Sequence, residues 1–375
     1  MHVLAAIVLA VWAFVFIQTL INLRVVSRLK RDQTPNAQPL VSIIIPARNE
    51  ARVIERTVRA FLAQDYANFE LIVVNDRSTD GTGEILRGIA DPRLTIIDAE
   101  EPPAGWLGKP WALEQGSACA RGELFLFVDA DLIYAPEAVR AAVADLESEQ
   151  AGLLAVWPRL EMRTFAEQVA LPMMSFFGFS ALPLWLANRS RAVGLAIGGG
   201  SGNLIRRSLL DKIGGFRALK DAVVDDVGLA RHARQQRELT RIVRGDDLIS
   251  LRMYHNAEEI IEGFTKNIFI MFERSYFWGA IMLALLVILH LMPYGMAIAG
   301  DRFAIATVIL ISVTRVVLFR SLRFRLDNAV FLHPLMVTFW AYIFLRSMWF
   351  TGVRKELRWR GRTYHAAQTR FGAER

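Results

Sequence analysis

From Val3 to Leu23 the chain reads VLAAIVLAVWAFVFIQTLINL, without one charged side chain. Wound as a helix, a run of this length covers the hydrocarbon thickness of a bilayer. A transmembrane anchor is therefore expected over 1–24. A cleaved signal peptide is the competing reading. No basic region precedes the run, and no small-x-small cleavage site follows it. Arg24, Arg28, Lys30 and Arg31 follow instead, so the positive-inside rule places the N-terminus outside and the next segment in the cytoplasm.

The net charge of +7 raises the question of a nucleic-acid partner. The location of the charge argues against one. Residues 353–375 hold seven Arg/Lys and two Asp/Glu, so +5 of the +7 lies in this stretch. A basic segment containing Trp359, following apolar sequence, reads as a cytoplasmic membrane-surface tail. Cys119 is the single cysteine, which rules out an internal disulfide and disfavours a thiolate metal site.

A linker is expected over 25–39, then an α/β domain over 40–255. LVSIII (40–45), FELIVVN (69–75), RLTIID (93–98) and ELFLFVD (123–129) read as strands covered on both faces. Val53, Ile54, Val58, Phe61 and Leu62 recur at helical spacing, and helical patterns also lie near 80–90 and 110–120. Strand–helix alternation predicts a mostly parallel, Rossmann-like sheet with ligands at the carboxyl ends of its strands. Those ends read PARNE, NDRSTD and DAD.

Apolar, aromatic sequence returns over 165–190 and 256–275, each read as interfacial rather than spanning. Residues 276–352 form a C-terminal transmembrane region with two or three spans, drawn from 276–299, 303–320 and 329–352. Three spans would leave the basic tail outside, so one of the three is expected not to cross.

The fourth strand ends in Asp129 and Asp131. If the extended conformation persists, residues i and i+2 share a face, and two carboxylates side by side call for a cation. Oxygen ligands with room for phosphates suit Mg²⁺ or Mn²⁺. The plainer reading makes Asp131 an N-cap for a helix near Pro136. Asp76, closing the second strand, could accept from a base or ribose, whereas Asp80–Gly81 reads as turn chemistry. Pro46, Ala47 and Glu50 flank the first strand end, Glu50 being equally a first-turn acid. Lys109, in GWLGKPWAL, offers a point charge to a diphosphate; Trp111 is assigned to the core. GGGSGNLIRRS (198–208) is glycine-rich enough for close ligand approach, or is a flexible turn. Asp225 and Asp226 open a helical pattern. The helix dipole accounts for one acid, and the other is free to act as a general base.

Taken together and in order, PARNE, NDRSTDGT, GKPWAL, FVDAD, GGSGNLIRRS and VDDVGLARHA resemble family 2 glycosyltransferases of the GT-A fold over about 40–240. With the N-terminal anchor and WRGRTY (359–364), the chain is similar to hopene-associated glycosyltransferases and, more distantly, to ceramide glucosyltransferases. The resemblance implies that Asp76, with Pro46, Ala47 and Glu50, lines the nucleotide pocket. It implies that Asp129 and Asp131 hold a divalent metal and the sugar diphosphate. Asp226, preceded by Asp225, falls on the catalytic base, and Gly200, Ser201, Gly202 and Asn203 fall on the acceptor-side loop. A Gln-x-x-Arg-Trp motif carried by many membrane-bound relatives is absent. After Phe264 the chain reads TKNIFIMFERS, which argues against a processive polymer synthase and leaves Lys266 or Arg274 as substitutes.

The expected function is inverting transfer of one sugar from a UDP-type nucleotide sugar to a membrane lipid hydroxyl, a hopanoid among the candidates. The expected place is the inner membrane of a bacterium, with the catalytic domain in the cytoplasm. The rival readings are a metal-dependent nucleotidyl or phosphosugar transferase, a non-catalytic nucleotide-sugar-binding scaffold, and a transporter suggested by Arg315.

Overall fold

The computed structural model describes residues 2–359 and 362–372. The chain forms two compact units. One is α/β: 27–161, 186–253 and the segment from Gln368 onward. The other is mainly helical: the N-terminal segment through Val26, Met162–Trp185 and Tyr254–Ala367.

The α/β unit contains β1 (Val41–Ala47), β2 (Phe69–Asn75), β3 (Leu94–Asp98), β4 (Leu124–Phe127), β5 (Leu132–Tyr134), β6 (Leu153–Trp157), β7 (Arg159–Leu160), β8 (Asn203–Arg206), β9 (Thr240–Arg244) and β10 (Ile249–Leu251). Seven of them make one sheet in the order β3-β2-β1-β4-β8-β6-β9. β1 pairs in parallel with both β2 and β4, so the strand order reverses there and opens a crevice at the carboxyl edge. β8 runs antiparallel to β4 and β6. The expected sheet thus holds, except that part of the glycine-rich segment is itself a central strand. Asn203 opens that strand and is buried, so it is not a loop residue. β5, β10 and β7 form a second, three-stranded sheet.

β1 and β2 are buried along nearly their whole length, as their unbroken apolar sequence requires. The helix Ile54–Leu62 buries Ile54, Thr57, Val58 and Phe61, which share one face. The helix Gly108–Cys119 contributes Ala112 and Leu113 to a core with Ile44, Ile72 and Val74. Trp106 packs against that core; Trp111 is half-exposed and donates its indole N–H to the Glu100 carbonyl at 3.1 Å. Neither tryptophan is a core residue: both are partly buried, and Trp106 is the one that packs against the core. The presumed linker is also partly structural: residues 27–29 run beside β9, with Arg244 N–H donating to Ser27 O and Leu29 N–H to Arg244 O.

Among the described residues of the helical unit, three helices are long and apolar enough to cross a membrane: His2–Val25, Tyr276–Ile298 and Arg302–Leu322. The stretch 329–352 is broken up instead, with a helix of 15 residues, His333–Ser347, as its longest regular α-helical piece. Segment 165–190 breaks at its prolines, giving the helices Phe165–Ala170, Pro172–Ala181 and Leu184–Ala187. The polar residues of the first helix have partners. Gln18 Nε2 donates to Ser180 O at 2.7 Å, and Asn22 Nδ2 donates to the Phe179 and Leu182 carbonyls. The hairpin of β11 (Glu356–Trp359) and β12 (Arg362–His365) closes this unit. Part of the WRGRTY segment, residues 360–361, lies outside the described residues.

Candidate active site

At the carboxyl edge of the seven-stranded sheet one ammonium gathers the acids. Lys109 sits in the first turn of the helix Gly108–Cys119, and its Nζ lies 2.8 Å from Asp129 Oδ1 and 3.3 Å from Asp225 Oδ1. Burial works against the charged Lys109, but Asp129, Asp225 and Asp226 outweigh it and hold its pKa well above the ordinary value. Burial pushes Asp225 up to about 6; Lys109 opposes that rise, while Asp226 and Asp129 add to it. Asp226 is raised as well, first by burial. The two acids occupy the first turn of the helix Asp225–Gln235, where the dipole favours negative charge. Asp226 Oδ1 also accepts from Val227 N–H at 2.8 Å.

The glycine-rich loop makes this convergence possible. A Cβ on Gly200 would come 2.1 Å from Asp129 Oδ2, and one on Gly198 would come 2.0 Å from the Asp226 carbonyl oxygen. Any side chain at either position would push the acids apart. Asp129 N–H donates to Gly200 O at 3.0 Å, and the Tyr134 hydroxyl donates to Ser201 O at 2.7 Å, fixing the loop from the far side.

Asp129 and Asp131 do not continue the strand. β4 ends at Phe127, so the two-residue period that would have aligned their side chains has stopped. Asp131 precedes β5, and the helix Ala138–Ser148 begins only after it, which removes the N-cap reading. Pro46 and Ala47 are the last residues of β1, not the loop beyond it; Ala47 is fully buried and its carbonyl accepts from Asp76 N–H. Glu50 N–H donates to Thr82 Oγ1 at 2.9 Å. Asp80 accepts from Thr82 and from Ala51 N–H, the turn chemistry expected of it.

Asp76 is 4% exposed. Burial raises its pKa even though Arg48 and Arg77 stand beside it. Arg77 Nη2 lies 3.2 Å from Asp76 Oδ1, and Arg77 also pairs with Glu101; Arg48 donates to the Asp76 carbonyl at 2.7 Å. Sequence reasoning missed both arginines, although both lie inside motifs it singled out, PARNE and NDRSTD. Lys266 and Arg274 belong to the helical unit.

The acids fit a hard divalent cation. Among the described residues no three His, Cys, Asp or Glu side chains are grouped to hold a metal. The chain would supply one or two carboxylates, Asp129 and Asp131, leaving the remaining positions to phosphate oxygens and water. Mg²⁺ and Mn²⁺ accept such a set. The Asp129 side chain is 41% exposed and stays reachable beside Lys109.

The fold is α/β of the GT-A type, with a mostly parallel central sheet. Residues 42–214 match the family model described as Glycosyl transferase family 2. The chain is similar to the probable glycosyltransferase YdaM of Bacillus subtilis (strain 168), at 32% identity over 48% of this chain and 43% of that protein. The beta-monoglucosyldiacylglycerol synthase of Nostoc sp. is 29% identical over 51% of this chain and 40% of its own length. The chain thus spans under half of these two relatives. It spans 88% of the 4,4'-diaponeurosporenoate glycosyltransferase of Staphylococcus aureus (strain MRSA252), at 25% identity over 86% of this chain. Among solved structures, the mannosyltransferase PcManGT from Pyrobaculum calidifontis, in complex with GDP-Man and Mn²⁺, shares the fold. The TM-score is 0.56 at 20% identity, over 93% of this chain and 99% of that one.

Proposed function

We propose that the protein transfers one sugar, with inversion, from a nucleotide diphosphate sugar to a hydroxyl of a membrane lipid. The observation that carries this reading is the gathering of Asp129, Asp225 and Asp226 around Lys109 at the sheet's carboxyl edge. Asp76, with Pro46 and Glu50, receives the nucleoside, and Ala47 supports Asp76 from within β1. Lys109 meets the diphosphate, and the loop of Gly200, Ser201 and Gly202 lies on the acceptor side. Asp226, oriented with Asp225 at its helix start, takes the acceptor's proton as that oxygen bonds to the anomeric carbon. The bond from that carbon to the diphosphate breaks, and its electron pair leaves with the nucleotide. A divalent ion held by Asp129 and Asp131 would supply positive charge at the leaving diphosphate.

The lipid acceptor is supported by the three apolar helices and by relatives named for a glucosyldiacylglycerol and a carotenoid acid. A hopanoid is one member of the acceptor class. In this reading three crossings, the first outside-to-inside, would return the chain to the cytoplasmic side before residue 323, where the positive-inside rule wants the basic tail. The apolar segments 165–190 and 256–275 then serve at the cytoplasmic interface of the inner membrane, admitting an amphiphilic acceptor.

The test is incubation of the purified full-length protein with radiolabelled nucleotide sugars and bacterial lipid extract, with and without a chelator. A labelled lipid with release of nucleoside diphosphate is expected. Release of pyrophosphate would assign the site to nucleotidyl transfer, and donor binding without turnover would leave a scaffold.

A further inference from the structure

Residues 368–372 belong to the α/β unit, although the whole stretch Tyr254–Ala367 of the other unit intervenes in sequence. They run beside the segment that leads into the helix Asp225–Gln235. Ala222 and Arg370 form a parallel bridge. Arg370 N–H donates to Asp221 O at 3.0 Å, Val223 N–H to Arg370 O at 2.9 Å, and Val224 N–H to Phe371 O at 3.0 Å. The Arg370 side chain forks, with Nε 2.7 Å from Asp221 Oδ1 and Nη2 donating to Ala218 O at 2.5 Å. The Phe371 ring lies beneath the Arg231 guanidinium, 4.8 Å from its centre. Gly372 passes so near Gly228 that a Cβ on it would be 3.1 Å from the Gly228 Cα.

These contacts are not scattered. Val224, Gly228 and Arg231 are spaced i, i+4, i+7 and share one face of the helix. Val224 is the residue just before that helix, and no side chain caps its start. The peptide that aims Asp225 and Asp226 is therefore tied down by the backbone of residues 370 and 371. The loop at Gly198 presses on Asp226 from its own side.

We infer that residues 368–372 form a strap that positions the Asp226 carboxylate for proton abstraction, with Arg370 as its positioning residue. The inference rests on Asp226 being the base. A base works only within hydrogen-bond reach of the proton it removes, and small displacements of such a group cost rate steeply. The strap touches neither Lys109 nor Asp129 in any bond described above, so it should act on turnover and not on donor binding.

The experiment compares full-length wild type, Arg370→Ala and Arg370→Lys in detergent. Two readouts are taken: kinetics with separate nucleoside-diphosphate affinity, and hydrogen exchange of the Val223 and Val224 amides. Arg370→Ala should lose protection at those two amides and lose kcat by roughly 10–100-fold, with donor KM and nucleotide affinity held within about twofold. Arg370→Lys keeps a cation near Asp221 but not the fork to Ala218, and should recover part of kcat. Wild-type kcat in Arg370→Ala, unchanged exchange at Val223 and Val224, or equal losses of kcat and donor affinity would each overturn the strap. If Arg370→Ala fails to fold, Phe371→Ala leaves the backbone bonds in place and should show the same split with a smaller loss; its absence likewise overturns the inference. The exchange arm needs no substrate. A wild type that transfers no sugar would sink the proposed function, while the amide data would still decide whether the strap holds this helix.

Discussion

The two units treat a cation in opposite ways. In the α/β unit, Lys109 faces three carboxylates, a formal excess of two negative charges. In the helical unit, Arg315 is fully buried and its partners are neutral. Nε donates to Ala329 O at 2.6 Å and Nη2 to Asn328 O at 3.3 Å; the remaining donors reach His333 Nδ1 and the Met173 and Met336 sulfurs. A guanidinium has only donors, so His333 Nδ1 accepts. Arg315 ties the helix Arg302–Leu322 to the turns at 328–329 and needs nothing from outside. The cluster at Lys109 carries unbalanced charge that a ligand or metal ion can offset. Burial alone does not mark a site; an unbalanced charge at a reachable edge does.

Four experiments press on this contrast. The largest effect is expected from Asp226→Asn, which should lower kcat by about 10²–10⁴-fold while nucleotide affinity, read by calorimetry, stays near wild type. Full turnover in that variant would take the base role from Asp226. Next comes Arg315→Leu, which strands the Asn328 and Ala329 carbonyls and should cost roughly 2–4 kcal/mol of stability in a detergent unfolding curve. The folded fraction should keep its kcat. A folded but inactive Arg315→Leu would erase the distinction between the two cations.

Smaller is the effect of Asp129→Asn, expected to weaken the Mn²⁺ dependence of donor binding by about 10–100-fold. Titration of the nucleotide at rising Mn²⁺ would show it, and an unaltered metal requirement would remove Asp129 as a ligand. Smallest is a shift in pH profile. Asp225 and Asp226 both have raised pKa values, Asp225 to about 6, so the pair takes up protons as pH falls through that range. The acid limb of kcat/KM should therefore lie well above the ordinary carboxylate range. Lys109→Met removes the cation that favours their charged forms, so the limb should move to higher pH, by about one unit. A limb that stays in place would mean that Lys109 does not govern these acids.

Much of this was legible in the chain itself. Unbroken β-branched runs announced β1 and β2, and their polar ends announced the working edge. The failures cluster where a position is decided by distant partners. NLIR (203–206) is too short and too close to four glycines to read as a strand; β4 and β6 make it one. Trp111 and Trp106 lie five residues apart in one motif, and only the packing of a helix on the sheet decides which of them rests against the core. The strap has no local signal at all, because its partners lie more than a hundred residues earlier.

What the sequence alone determined is whatever depends on near neighbours: apolar length for the three long helices, periodicity for the strands, and acid types at the strand ends. Tertiary structure alone decided which acids share one cation, that glycines at 198 and 200 let them do so, and that residues 368–372 brace the helix bearing two of them. Hydrophobic patterning acts over a few residues and can be read along the chain. Electrostatic convergence depends on distances through space, and those exist only once the sheet and its loops have closed.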